Sequence, residues 1–131
     1  MRRRTVLSAF AVLAMMRTIP ARAADSSTQK HPDVLEAKVR ARGPDTFDFD
    51  VTVSSPYDTP QRYADAFRVM GKDGAVFGER KLLHDHAGEQ PFTRDLHDVT
   101  IPHGVRSVIV QARDQKYGYG GKPFEVALPG R

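Results

Sequence analysis

The chain of 131 residues is 40% hydrophobic and 27% charged, which suits one globular domain and excludes wholesale disorder. It holds no cysteine, so disulfides, thiol nucleophiles, zinc–thiolate and iron–sulfur sites are all ruled out. The formal net charge of +4 would suit a nucleic-acid binder, but its source is the N-terminal end alone.

Arg2, Arg3 and Arg4 form a basic start, Thr5 to Met16 is a mostly apolar run, and Ala21-Arg22-Ala23 is a small-x-small cleavage site. Together residues 1–23 read as a secretory signal peptide, too short in its apolar part for a membrane anchor. Arg3-Arg4-Thr5-Val6-Leu7 partly matches a twin-arginine signal. Five of the 20 Lys and Arg residues lie in this stretch and no acid does, which leaves 15 basic against 16 acidic residues, a net of −1. A mature chain of that charge has no electrostatic case for nucleic acid. The expected compartment is periplasmic or extracellular, with no transmembrane segment in the mature chain.

Residues 24–32 are polar and read as a flexible tether. From there the chain alternates apolar and polar residues with period two, the strand signature. Leu35, Ala37, Val39 and Ala41 are expected on the core face of the first strand. Gly43-Pro44-Asp45 turns the chain, and Phe47, Phe49, Val51 and Val53 form the second core face. Tyr63 to Met70 is the third strand, with Asp65 on the same face as Phe67 and Val69. An ion pair to Arg94 or Arg113 would neutralise that acid, and a catalytic carboxylate is the sharper reading. Gly71-Lys72-Asp73-Gly74 is a hairpin turn before a fourth strand, Ala75 to Leu83. Phe92, Arg94 and Leu96 alternate in one phase and Val99 and Ile101 in another, which predicts a bulge near His97-Asp98. Val108, Val110 and Ala112 mark the sixth strand. Gln115 to Gly121 reads as a loop, and Phe124, Val126 and Leu128 as the last strand.

Seven strands with no helical period predict an all-β, antiparallel sandwich over residues 33–129. The expected core is Val39, Phe49, Val51, Phe67, Val69, Phe77, Leu96, Val108, Val110, Phe124 and Val126. The strand order and the segment Val99-Thr100-Ile101-Pro102-His103-Gly104 leading into Val108, Val110 and Ala112 resemble fibronectin type III and other immunoglobulin-like domains. Phe67 stands where the usual core tryptophan would lie, and the cysteine pair and corner tyrosine of such domains are missing. The resemblance implies a seven-stranded immunoglobulin-like β-sandwich in a small exported bacterial protein, and no particular activity.

Besides Asp65, two places could carry chemistry. Lys116-Tyr117-Gly118-Tyr119-Gly120-Gly121 has the composition of a recognition loop, with Tyr117 and Tyr119 for contact and Gly118 and Gly120 for close approach. Arg94 would anchor the neighbouring loop through a bidentate contact. His84-Asp85-His86 puts two imidazoles on one side of an extended segment. His97 or His103, Met70 and Glu89 could complete a copper or zinc site. The sequence has no nucleophile elbow, P-loop or zinc-protease helix motif. The leading expectation is a monomeric, non-enzymatic, cofactor-free envelope domain that binds a protein or small ligand through its end loops. The alternative is a periplasmic copper or zinc protein built on His84 and His86.

Overall fold

The computed structural model describes residues 28–131. The expected signal peptide and residues 24–27 lie outside that range. Seven strands follow in order: β1 (Asp33–Ala41), β2 (Thr46–Ser54), β3 (Ala64–Met70), β4 (Val76–Lys81), β5 (Phe92–Thr100), β6 (Ser107–Asp114) and β7 (Gly118–Ala127). All pairings are antiparallel, and the strands form two sheets ordered β1-β2-β5 and β4-β3-β6-β7. Among the described residues no helix is long and apolar enough to cross a membrane.

One core joins the sheets. Phe47, Phe49, Val51 and Val53 of β2 face Phe67 and Val69 of β3 and Val108, Val110 and Ala112 of β6, all buried. Of the expected core, Val39, Phe77, Leu96, Phe124 and Val126 are only partly buried and pack around its margin. Val34, Phe92, Ile101 and Leu128 also belong to the interior.

Bulges decide which residues reach it. Opposite Asp48, β5 carries both His97 and Asp98, with Asp98 at φ 56°, so Leu96 and Val99 share one face as their phase shift predicts. The Asp48 carboxylate accepts the Asp98 N–H at 2.9 Å and stabilises this conformation. A register shift between Val34 and Glu36 turns Leu35 outward, 48% exposed, and puts Val34 in the core instead. A shift between Ala64 and Ala66 turns Asp65 away from the core face expected for it. Asp65 lies on the outer side of the sheet, where the Arg113 guanidinium donates to it at 2.5 Å. Its partner is therefore Arg113 and not Arg94.

The last strand begins earlier than its composition suggests. Gly118 to Gly121 belongs to β7, and the connection from β6 is only a tight turn. Gly121 adopts φ +73°, and a Cβ there would lie 2.2 Å from the Pro32 carbonyl oxygen. A Cβ on Gly120 would meet the His31 ring at 2.5 Å. These glycines admit the chain's own N-terminal segment against the strand.

Candidate functional site

The antiparallel order divides the loops between two ends. The upper end gathers the entry to β1, the β2–β3 loop, the β4–β5 loop and the β6–β7 turn. The lower end gathers the β1–β2, β3–β4 and β5–β6 loops and the C-terminal residues.

At the upper end the residues singled out in the sequence are largely engaged by neighbouring side chains. Asp114, fully buried, accepts the N–H groups of Lys116 and Tyr117, both at 2.8 Å, and shapes the turn. Arg62 donates from Nε to Asp114 at 3.2 Å and from Nη2 to the Gln29 carbonyl at 2.7 Å. Burial alone would raise the Asp114 carboxyl. The nearby Tyr57 hydroxyl, the two turn N–H groups and Arg62 outweigh it and hold the carboxyl below its ordinary value. Burial and the Asp114 charge push the Tyr57 hydroxyl well up, so it stays protonated.

The Arg62 guanidinium lies 4.1 Å from the Tyr57 ring centre and 4.9 Å from that of Tyr117. Lys116 and Lys30 approach the Tyr117 ring at 5.2 and 5.8 Å. Tyr117 itself is 44% exposed. The described part of the expected tether, from residue 28, is in contact here. Its His31 Nδ1 lies 3.1 Å from the Gly118 carbonyl oxygen. Gly118 and Gly120 therefore face the N-terminal segment. Tyr119 lies on the outer face of its sheet, with its hydroxyl donating to Glu79 and the Arg68 guanidinium 3.8 Å from its ring centre.

The histidine loop is fastened in the same way. Buried Asp58 accepts the Ala64 N–H at 3.1 Å and the His86 N–H at 3.0 Å. Its burial raises its carboxyl above the ordinary value despite those donors. Gln90 accepts the Ser55 N–H and donates to the Ser55 hydroxyl and the His86 carbonyl. The His86 ring stacks on Phe92 with centres 3.9 Å apart. Burial, then the charges of Arg94 and His84, lower its pKa, so the imidazole is neutral. Arg94 holds Glu89 through two contacts of 3.1 and 3.2 Å, and so anchors this loop as its sequence position suggests.

The constellation expected around a metal does not assemble. His84 and His86 stand together, ring centres 4.9 Å apart. His97 lies on β5 between Asp48 and Asp95, with Nδ1 at 3.4 Å from the first and Nε2 at 3.1 Å from the second. Those carboxylates, Asp48 foremost, raise its pKa. His103 and Met70 belong to the lower end, where His103 meets Asp45. Among the described residues no group of three or more His, Asp or Glu side chains is placed to hold a metal ion.

No protein-family model matches the chain. A curated protein of Halomicrobium mukohataei, described as "Putative lipoprotein", is 34% identical over 97 residues. That match covers 74% of this chain, and the chain spans about half of the relative, 47% of its length. A crystal structure of a hypothetical protein from Pyrococcus horikoshii OT3 aligns with 14% identity and a TM-score of 0.48, over 76% of this chain and 88% of the other.

Sequence reasoning missed Asp58, Arg62 and Asp114, which organise the upper end. Asp114 carried a usable signal: an acid ending an alternating strand three residues before Tyr117, the position from which Asx-type turns are made.

Proposed function

We propose that this chain is an exported, envelope-associated, non-enzymatic binding or accessory domain with an immunoglobulin-like sandwich. The strand order supports the fold reading: first, second and fifth strands in one sheet, and third, sixth and seventh in the other with the fourth beside the third. The leader-like residues 1–23 and the lipoprotein description of the Halomicrobium relative support the compartment.

The observation that carries the binding reading is the exposed Tyr117 ring with Arg62, Lys116 and Lys30 around it. An aromatic face surrounded by cations suits a protein or small ligand bearing negative charge. A photo-crosslinking amino acid at position 117 in the exported protein is expected to give discrete adducts in the producing cell. The same group at exposed Lys38, on the opposite sheet, should not give them. Identical adduct patterns, or none at 117, would remove the assignment. Intact mass of the exported product should correspond to a start at Ala24, and an unprocessed cytosolic chain would contradict the export reading.

A further inference from the structure

A second hollow lies at the other end. A cavity of about 610 Å³ lies between the β3–β4 turn and the β5–β6 loop. That is within the range of small-molecule sites, which are mostly apolar with a few fixed polar groups. Phe77, Ala75, Pro102 and Val105 give it apolar surface, and Lys72 and Arg106 stand among its lining residues. Gly71 lets the Phe77 ring approach, since a Cβ there would already meet the ring at 3.3 Å.

Both walls are held by the protein itself. The turn is closed by Gly71 N–H to the Ala75 carbonyl at 2.8 Å and by Asp73 accepting the Ala75 N–H at 3.0 Å. The loop is held by Arg131, which donates to the carbonyls of Pro102, Val105 and Ile101 at 2.6, 2.9 and 3.0 Å. Its guanidinium also lies 4.9 Å from the Phe47 ring centre. A cavity with fixed walls loses little entropy on filling.

Charge selects the occupant. Asp73 is committed to its turn, and the Lys72 ammonium is engaged by Glu125 at 2.9 Å. Arg106 is exposed, and among the described residues no hydrogen bond or ion pair engages its guanidinium. We infer that the lower end binds a small apolar carboxylate, its hydrocarbon body against Phe77 and Val105 and its carboxylate on Arg106. A planar guanidinium pairs with a carboxylate through two parallel hydrogen bonds. This site is distinct from the Tyr117 surface, so either can fail alone.

The test is a titration of ¹⁵N-labelled mature protein with naphthoate, and separately with uncharged naphthylmethanol. Naphthoate should give saturable shifts confined to residues 71–77 and 102–107, with the alcohol roughly tenfold weaker. Arg106→Gln should weaken naphthoate by the same factor and leave the alcohol and the unfolding midpoint unchanged. Ala75→Trp, at the exposed rim, should abolish both. No saturable shift, shifts centred on the upper end, equal binding of acid and alcohol, or an unaltered Arg106→Gln response would each overturn the proposal.

Discussion

The two ends of the sandwich differ in how far their polar residues close them, although acids accept backbone N–H groups at both. At the upper end two buried acids and a half-buried amide are turned onto backbone N–H groups: Asp58 on Ala64 and His86, Asp114 on Lys116 and Tyr117, Gln90 on Ser55. At the lower end one arginine, Arg131, does much of the fastening, and a mostly apolar hollow lined in part by exposed Arg106 remains beside it. Residue types that suggest chemistry thus mark the more tightly bonded end, where the Tyr117 ring stays exposed, while the hollow is built from ordinary turn and strand residues. Side chains spent on satisfying buried backbone groups are not free to meet a ligand.

The sharpest way to break this contrast is to remove an upper-end acceptor. Asp114→Ala strips two turn N–H groups and Arg62 of their partner in a fully buried position, and should cost about 3–5 kcal/mol in urea denaturation. Asp114→Asn, which keeps an acceptor, should cost visibly less. Gly121→Ala comes next. Its positive φ and the Pro32 carbonyl in the way should cost about 1–3 kcal/mol and release the segment at 29–32. Arg131→Ala should cost about 1–2 kcal/mol and loosen residues 101–105 while leaving amide protection at the upper end intact.

Much of the fold was legible because alternation survives in β2 and β6, where no bulge interrupts one buried face. The β5 bulge was legible too, since Leu96 and Val99 cannot share a face without an extra residue between them. The bulges at Leu35 and Asp65 left no such mark, because small or ambiguous neighbours such as Ala64 and Ala66 fit either phase. The start of β7 was hidden by its composition: glycine and tyrosine suggest a loop, and only the close passage of His31 and Pro32 explains glycine in a strand. At the site, the residues were legible as types but their partners were not. Asp58 and His86, or Arg62 and Asp114, meet across 28 and 52 positions of sequence.

The smallest expected effect separates two histidines by pH. In the folded chain the pKa of His86 is lowered, chiefly by burial. Its contribution to stability is complete above the unfolded value near 6.5 and is lost as pH falls through the lower folded one. His97 is raised by Asp48 and Asp95. Its contribution is complete below the unfolded value and is lost as pH rises through the higher folded one. In unfolding midpoints measured from about pH 5 to 8, His86→Gln should flatten the acid-side loss and His97→Gln the opposite slope. The His97 effect should shrink in high salt, because that side chain is half exposed.

Native-state amide exchange tests the closed upper end most directly. The N–H groups of Ser55, His86, Lys116 and Tyr117 lie outside the strands, yet each is bonded to a side chain there. They should exchange as slowly as the strand amides of Val51 and Val110. Exchange as fast as that of exposed Gly88 would mean that these loops are open and that their polar side chains are free for another partner.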